Sequence, residues 1–244
     1  MLLVVPLMNR RRRRRPGYVV IAPLLALCTS LILVILCSAS NNPLEFNGGS
    51  CVAMAGKDCV ALAVDKRFGS REQLVSANAR RVLKLNSRLL CGFTGLATDI
   101  QTAMQDVSLQ VSAKAIAEGR PIAPRALSAL LSALLYARRA SPWYVEPVVA
   151  GLDARGSPFL SAHDLLGAPL EAPDFVVAGT SSAGLYGMCE ALFREGMAAE
   201  ELVETVSRCL LSALERDCLS GYGAVVHLVT REGVTSRELK SRMD

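Results

Sequence analysis

Residues 46–68 read FNGGSCVAMAGKDCVALAVDKRF, and this stretch decides the fold. Two apolar runs, Ser50–Ala55 and Cys59–Val64, flank a short polar turn at Gly56-Lys57-Asp58, a pattern that predicts a β-hairpin. Glycine at the turn gives the backbone the freedom that a tight reversal needs. The second run is apolar at almost every position, as expected of a strand covered on both faces. The stretch therefore predicts two central, buried strands.

Beyond the hairpin, the remaining strands and helices alternate in blocks. Apolar residues at helical spacing predict helices over Leu96–Glu118 and Pro124–Arg139, and two more over Ser181–Arg194 and Ala199–Arg216. Further strands are predicted over Arg81–Leu85, Leu89–Thr94, Glu146–Leu152, Pro158–Ser161, Asp174–Ala178, Tyr222–Thr230 and Val234–Leu239. Pairs of helices between blocks of strands favour an α+β fold, namely a four-layer αββα sandwich with two stacked sheets and helices outside.

This order of segments resembles the proteasome beta subunits, whose fold is the N-terminal-nucleophile hydrolase sandwich. The similarity runs from Phe46 to Asp244. It is carried by GGS…GKDCVALAVDKRFG, GLATDIQ, LLYARR, YVEPVVAGLD, DFVVAGTSSAGLYGMCE, ERDCLSGYGAVVHLV and LKSRMD. Within the family, the NGG opening, AVDKRFG and YGMCE are most similar to the beta type-3 subunits.

The resemblance implies where catalytic groups would stand. Active members carry a threonine at the start of the first strand, exposed by self-cleavage after a glycine, and an aspartate that ends the second strand. Asp65 matches that aspartate, and counting back along the chain places Gly49 at the threonine position. Without the hydroxyl, catalysis is expected to fall by about 10⁴–10⁶-fold, and self-cleavage after Gly48 loses its nucleophile as well. The resemblance therefore implies a non-catalytic chain.

Other matched positions complete a vestigial site. Arg81 stands where the family has a lysine, and its guanidinium does not readily give up its proton because its pKa exceeds roughly 12. Gly95 matches the glycine whose amide forms the oxyanion hole. Asp217, Ser220 and Gly221 match residues that steady the amino terminus.

For three of these residues we also expect a structural role. Asp65 and Arg81, on adjoining strands, are predicted to form a partly buried ion pair. Gly95 is predicted to allow a close backbone approach.

Other side chains are candidates for a replacement nucleophile or base. Ser50 points to the opposite strand face, and Cys51 lies roughly 6.6 Å along the strand, where a small thiol is usually part of the core. Cys51 would also need a free amine created after Ser50. His163 beside Asp164 suggests a catalytic pair, although no partner hydroxyl or thiol is identifiable. His227, in a closing strand, is predicted to be a core histidine.

What remains is a role in assembly, in the cytoplasm and nucleus. The resemblance implies a structural subunit in a heteroheptameric beta ring of the 20S core, between an opposing beta ring and an alpha ring, acting in ATP- and ubiquitin-dependent protein degradation. The segment Leu160 to Gly167 is predicted to reach a neighbour's substrate pocket, with Ser161 and Asp164 as candidates. Asp164 would place negative charge near a basic substrate side chain; alternatively it caps a turn. No cofactor is implied.

Charge and cysteine spacing exclude two other classes of function. Of 27 basic residues, six are Arg10 to Arg15, so the rest of the chain has 21 basic against 22 acidic residues and no basic patch suited to nucleic acid. The eight cysteines form no CxxC pair and lie near no histidine, which argues against a zinc site and favours reduced, buried thiols.

Residues 1–40 differ from the predicted domain, residues 41–244. Arg10 to Arg15 precede an uncharged run, Tyr18 to Ala39, which is long enough to cross a bilayer core of about 30 Å. One interpretation is a signal anchor with the domain exported; the other is a mistaken translation start or a removable extension. If the signal anchor is real, the chain is a membrane-tethered or exported relative of the family. A second alternative is an active self-processing hydrolase that uses a replacement nucleophile.

Overall fold

The computed structural model describes residues 42–243, which form five helices and twelve strands. In chain order they are α1 (Pro43–Asn47), β1 (Ser50–Ala55), β2 (Val60–Asp65), β3 (Phe68–Ser70), β4 (Gln73–Ser76), β5 (Val82–Asn86), β6 (Leu89–Gly95), α2 (Ala97–Glu118), α3 (Pro124–Ala137), β7 (Val145–Leu152), β8 (Pro158–His163), β9 (Pro169–Ala172), β10 (Phe175–Gly179), α4 (Ser182–Leu192), α5 (Ala199–Leu214), β11 (Ala224–Val229) and β12 (Val234–Leu239).

None of the helices in residues 42–243 has both the length and the apolar content that a bilayer-spanning helix requires. The apolar run predicted over Tyr18 to Ala39, and the signal-anchor interpretation of residues 1–40, lie outside the described residues.

Two antiparallel five-stranded sheets form the centre of the domain. The first has the strand order β10-β1-β2-β11-β12, and the second has the order β5-β6-β7-β8-β9. The predicted hairpin supplies β1 and β2, which pair from Cys51 opposite Val64 to Ala55 opposite Val60. Both strands are buried along their whole length, which confirms that they are central.

Alternating side chains along β1 separate two cores. Val52 and Met54 pack with residues of α4 and α5 on one face of the first sheet. Cys51 and Ala53 point the other way, into the apolar layer between the two sheets. A third core, which includes Phe93, joins the second sheet to α2 and α3. The resulting order of helices, sheet, sheet and helices confirms the predicted αββα sandwich.

Several predicted bounds need correction. The second strand is shifted by one residue, so that Asp65 is its last member, and β8 continues to His163 instead of ending at Ser161. Helix α3 ends at Ala137 and α5 at Leu214, two residues earlier than predicted. The short elements α1, β3, β4 and β9 were not predicted, because three to five residues carry too little periodicity to be recognised.

Gly119 follows the last residue of α2 and caps the helix. Its φ of 65° is left-handed, and its backbone N–H donates to the carbonyl of Ala115. This is the usual way in which a helix satisfies its last carbonyl groups, and it favours glycine because the residue has no Cβ. The chain can then turn through Pro121 into α3.

Candidate functional site

The candidate site lies at one end of the hairpin, where the two strands of the first sheet meet the end of a strand from the second. Gly49 precedes β1, Asp65 ends β2 and Gly95 ends β6. The backbone N–H of Ser50 donates to Oδ1 of Asp65 at 3.0 Å, which fixes the carboxylate beside the start of β1. A Cβ on Gly95 would lie 2.3 Å from the carbonyl oxygen of Tyr144, so the predicted close backbone approach is confirmed.

Asp65 and Arg81 form the ion pair that the sequence predicted, but in a different setting. Nε of Arg81 lies 3.1 Å from Oδ1 of Asp65, as a charge contact without the alignment of a hydrogen bond. The prediction of adjoining strands was wrong, because Asp65 ends β2 in the first sheet whereas Arg81 precedes β5 in the second. The pair is also fully buried, with side-chain exposures of 0% and 3%.

The guanidinium of Arg81 fills the space next to Gly49. A Cβ added to Gly49 would lie 2.2 Å from Cζ of Arg81 and 2.4 Å from both terminal nitrogens. Nη2 donates to the carbonyl of Gly48 at 2.9 Å and to the carbonyl of Arg67 at 2.7 Å, which holds the side chain in place. Gly49 itself has a φ of 121°, a conformation that favours glycine. The site therefore has room for no side chain at position 49 unless Arg81 moves.

The electrostatics of the site are dominated by burial. Burial raises the pKa of the Asp65 carboxyl above its ordinary value, and the opposing effects of Arg81 and of the amides of Ser50 and Gly221 only reduce that shift. Burial also raises the pKa of the Cys51 thiol, with the charge of Asp65 adding to it. Cys51 is fully buried between the sheets, so its thiol has neither the access nor the charge state of a nucleophile.

Asp217 is the centre of a second polar cluster beside the first. Its Oδ2 accepts hydrogen bonds from Oγ1 of Thr180 and from Oγ of Ser220, each at 2.6 Å. The backbone N–H of Gly221 donates to Oδ2 of Asp65 at 3.3 Å and so connects the two clusters. All the site positions matched by resemblance therefore converge in space.

Sequence reasoning missed Thr180, Ser181 and Arg67. The hydroxyl of Ser181 donates to that of Ser50, and Arg67 is 1% exposed with its guanidinium bonded to the carbonyls of Leu219 and Arg71. The only available signals were the hydroxyl-rich GTSS run after a predicted strand and the basic pair after Asp65. Neither run identifies the residues that its side chains contact.

Ser161 and Asp164, the candidates for a neighbour's pocket, lie in different environments. Ser161 is fully buried within β8, and its hydroxyl donates to Oγ of Ser128 on α3 at 3.1 Å. The prediction that Ser161 reaches a neighbouring subunit was therefore wrong. Asp164 is exposed, and its Oδ1 accepts the backbone N–H groups of Leu166 at 3.0 Å and Ala168 at 2.7 Å. Asp164 thus caps its turn while its charge faces solvent.

The environments of the two histidines are the reverse of those predicted from the sequence. His163 is 4% exposed and its Nε2 lies 3.1 Å from Oγ of Ser128, so it is the core histidine, and burial lowers its pKa. His227, predicted to be in the core, is only partly buried and pairs with Oγ of Ser236 at 2.8 Å. His163 and Asp164 form no catalytic pair, because the ring is enclosed whereas the carboxylate caps an exposed turn.

A cavity of about 810 Å³ lies beside Arg81, between the segment that precedes β5 and helix α2. Its walls include Ala97, Ile100 and Met104. Because these walls come from segments far apart in the chain, no local pattern predicted the cavity. Within residues 42–243, no three histidine, cysteine, aspartate or glutamate side chains lie close enough together to hold a metal ion.

Comparison with known proteins identifies similar chains over most of this length. A family model described as "Proteasome subunit" matches residues 45–229. The chain is 45% identical over 200 residues to "Proteasome subunit beta type-3-B" of Arabidopsis thaliana and 44% identical over 200 residues to "Proteasome subunit beta type-3" of Picea mariana. It is 44% identical over 202 residues to the Trypanosoma brucei brucei protein of that name. Each alignment covers 82% of this chain and 98% of the relative.

Proposed function

The chain belongs to the proteasome subunit family, and on that basis we propose that it is a non-catalytic, structural beta subunit of the 20S core particle. In this role residues 41–244 form one wall segment of the beta ring and line the chamber used in ATP- and ubiquitin-dependent protein degradation. The names of the relatives, all beta type-3 subunits, support this assignment, as does the almost complete coverage of their length.

The environment of Gly49 carries the non-catalytic part of the proposal. We assign Gly49 to the position of the family's threonine nucleophile, and the Arg81 guanidinium takes up the space that a side chain there would need. Asp65, Gly95, Asp217, Ser220 and Gly221 then form the framework of a site that lacks its reacting group. A hydrolase of this type needs both the hydroxyl and a base next to it, so the framework alone performs no peptide hydrolysis.

The proposed partners are the other beta subunits of a heteroheptameric ring, the opposing beta ring and the alpha ring. Leu109 and Ile116 support a role in assembly, because they are 70% and 84% exposed on helix α2. Their spacing of seven residues places both on one helix face, where a subunit interface would cover them. The proposed location is the cytoplasm and nucleus. A membrane is a proposed partner only if residues 1–40 act as an anchor.

An active, self-processing hydrolase is the main alternative in a different class. It would require Ser50 or Cys51 to become a new terminal nucleophile. Both residues are fully buried, and Ser50 is held by Asp65 through its backbone N–H and by Ser181 through its hydroxyl. These contacts argue against the alternative.

Native purification tests the proposed function directly. We expect the chain to co-sediment with other proteasome subunits in a particle far larger than a single chain, and to keep Gly49 internal to its sequence. Mass spectrometry of the intact subunit from that particle gives its amino terminus. Recovery as a free monomer would contradict the structural role, and a mature terminus at Ser50 or Cys51 would support the hydrolase instead.

Asp164 is the residue that we propose contributes to a neighbour's substrate pocket. Its charge is exposed at the end of β8, and its carboxylate is already fixed by the turn that it caps. A carboxylate held in this way can attract a basic substrate side chain at little further entropic cost.

Replacing Asp164 by asparagine removes the charge but keeps an oxygen that can cap the turn. We expect kcat/KM for substrates with a basic residue before the cleaved bond to fall by about two- to fivefold in the assembled particle, as for an exposed charge pair. Asp153→Asn, in the exposed turn at the other end of β8, is the matched control and should change nothing. If both variants cleave these substrates equally well, Asp164 does not contribute to the neighbour's pocket and only caps its turn.

A further inference from the structure

The two sheets each end in a strand with one free edge, and these two strands lie on the same side of the sandwich. Within residues 42–243, β5 pairs only with β6, and β12 pairs only with β11. A free strand edge presents backbone N–H and carbonyl groups to which another extended chain can bind, and proteins usually cover or blunt such edges for that reason. This side of the sandwich is therefore a place where a further strand can add.

A cavity of about 390 Å³, which we call the edge cleft, lies between β5 and β12. The apolar side chains that line it include Val64, Leu90 and Val225. Val82 of β5 and Val234 of β12 also line it, and both pack against the apolar layer between the sheets. The volume is within the range of about 300–1,000 Å³ that ligand pockets have. The edge cleft can therefore accept apolar side chains from a bound segment.

Two ion pairs in the edge cleft are already neutralised within the chain. Nζ of Lys66 lies 3.3 Å from Oε1 of Glu238, and the buried pair of Asp65 and Arg81 reaches the cleft from the candidate site. These four residues contribute two positive and two negative charges. The net charge of the cleft therefore depends on the basic side chains that remain.

Arg80 and Lys84 supply an uncompensated positive charge. Both are exposed and line the edge cleft, and none of the carboxylates in residues 42–243 lies within salt-bridge distance of either. Lys84 also acts across the cleft on His227 of β11: burial lowers the pKa of His227, and the charge of Lys84 lowers it further. A negative charge in the cleft would be attracted by Arg80 and Lys84 together.

The sequence around β5 sets the order in which these groups meet a ligand. Val82 and Lys84 line the edge cleft, whereas Leu83 between them packs with the core on the other face of the sheet. Arg80 lies one further alternation before Val82, so this face reads basic, apolar, basic at every second residue. Opposite charges and paired apolar residues stabilise neighbouring strands. The complementary segment is therefore acidic, apolar and acidic at the same spacing.

We propose that the edge cleft binds an extended segment of a partner polypeptide, which adds to the free edge of β5 as a further strand of the second sheet. Its two acidic side chains lie opposite Arg80 and Lys84, and the apolar side chain between them lies opposite Val82. Backbone hydrogen bonds to the strand edge supply affinity, and the alternate side chains supply specificity. This binding does not rest on the proposed function, because it requires only the free edge and its charges.

A peptide with the sequence glutamate-threonine-valine-threonine-glutamate, blocked at both ends and fluorescently labelled, is the probe for the full-length chain. We expect it to bind and to shift the imidazole resonances of His227 in the NMR spectrum. The chain has one other histidine, His163, which is 4% exposed in β8 and should not shift. The same peptide with every backbone amide methylated should bind at least about tenfold more weakly, because it cannot donate to a strand edge.

Lys84→Gln and Arg80→Gln should each raise the Kd of the probe by about two- to fivefold, as for an exposed charge pair. Lys57→Gln is the matched control, since Lys57 is exposed in the turn at the other end of β2, and it should leave the Kd unchanged. A peptide with lysine in place of glutamate should not bind.

No binding of the probe, equal binding of the lysine peptide or the methylated peptide, or an equal loss in Lys57→Gln overturns the proposal. Equal binding of inorganic polyphosphate without the NMR shift of His227 also overturns it, because the cleft would then be only a basic surface. Each outcome is independent of whether the chain co-sediments with a proteasome.

Discussion

Replacing Arg81 by alanine is expected to lower the free energy of unfolding by about 3–5 kcal/mol, the usual cost of removing one member of a buried ion pair. Asp65 is fully buried, so the substitution would leave its carboxylate in the protein interior without a counter-charge. The carbonyls of Gly48 and Arg67 would also lose the donor Nη2. The segment around Gly49 would keep the contacts of Phe46 and Asn47 and the hydrogen bond from the backbone N–H of Thr180 to the carbonyl of Gly49.

Denaturant unfolding of the purified chain measures this cost. Arg80→Ala is the matched control, because Arg80 is exposed and should change stability by less than about 0.5 kcal/mol. Adding Asp65→Asn to Arg81→Ala should recover part of the loss, since a neutral amide needs no counter-charge. If Arg81→Ala is no more destabilised than Arg80→Ala, the pair contributes little.

The same variant has a pH dependence with a definite sign. Burial already raises the pKa of Asp65, and Arg81 is the largest of the opposing effects. Without Arg81 the folded-state pKa rises further above the unfolded value, so the folded chain takes up a proton more readily as the pH falls. The stability lost in Arg81→Ala should therefore be larger near pH 8 than near pH 5.

The sequence predicted the layers of the fold well because each layer has its own periodicity. The hairpin strands are apolar at nearly every position, which is the pattern of strands packed on both faces, and Val52 and Cys51 do face different cores. The helices have apolar residues at helical spacing because each packs on one face only. Such patterns involve residues that are close together in the chain, so they can be recognised without knowledge of the tertiary structure.

The sequence was least informative where polar side chains point inward. Ser161 and His163 interrupt the apolar pattern of β8, which made the strand look as though it ended early. In the fold both face Ser128 of α3 and form a buried hydrogen-bonded cluster with it. Nothing in the local pattern distinguishes such residues from the start of a turn, because the partner lies on a helix more than thirty residues away.

The resemblance predicted that Arg81 lies beside Asp65. It did not predict how far the Arg81 side chain extends. That Arg81 would fill the space next to Gly49 depends on the distance between two sheets and on the path of residues 42–48. Both are properties of the packed domain. The filling of the space next to Gly49 by Arg81 therefore could not be predicted from the sequence, although the sequence contains both residues.

Replacing Gly49 by threonine is expected to give a destabilised and unprocessed chain instead of an active protease. Two effects act together at this position. A φ of 121° strains any residue with a Cβ, by about 1–3 kcal/mol. A Cβ there also lies 2.2 Å from Cζ of Arg81, and overpacking of this kind costs typically 1–3 kcal/mol. The hydroxyl would thus enter a site that is already filled, next to an arginine that cannot serve as a base.

Glycine-to-alanine variants separate the two effects. Gly221 has a φ of 128° with nothing within 4 Å of an added Cβ, so Gly221→Ala reports backbone strain alone. Gly49→Ala should be less stable than Gly221→Ala by the cost of the collision with Arg81, and Arg81→Lys should reduce that difference. Intact mass of Gly49→Thr gives its processing. A Gly49→Thr chain that begins at position 49 and cleaves peptides would contradict this prediction. It would mean that Arg81 moves to make room for a side chain, and that the glycine alone prevents catalysis in this subunit.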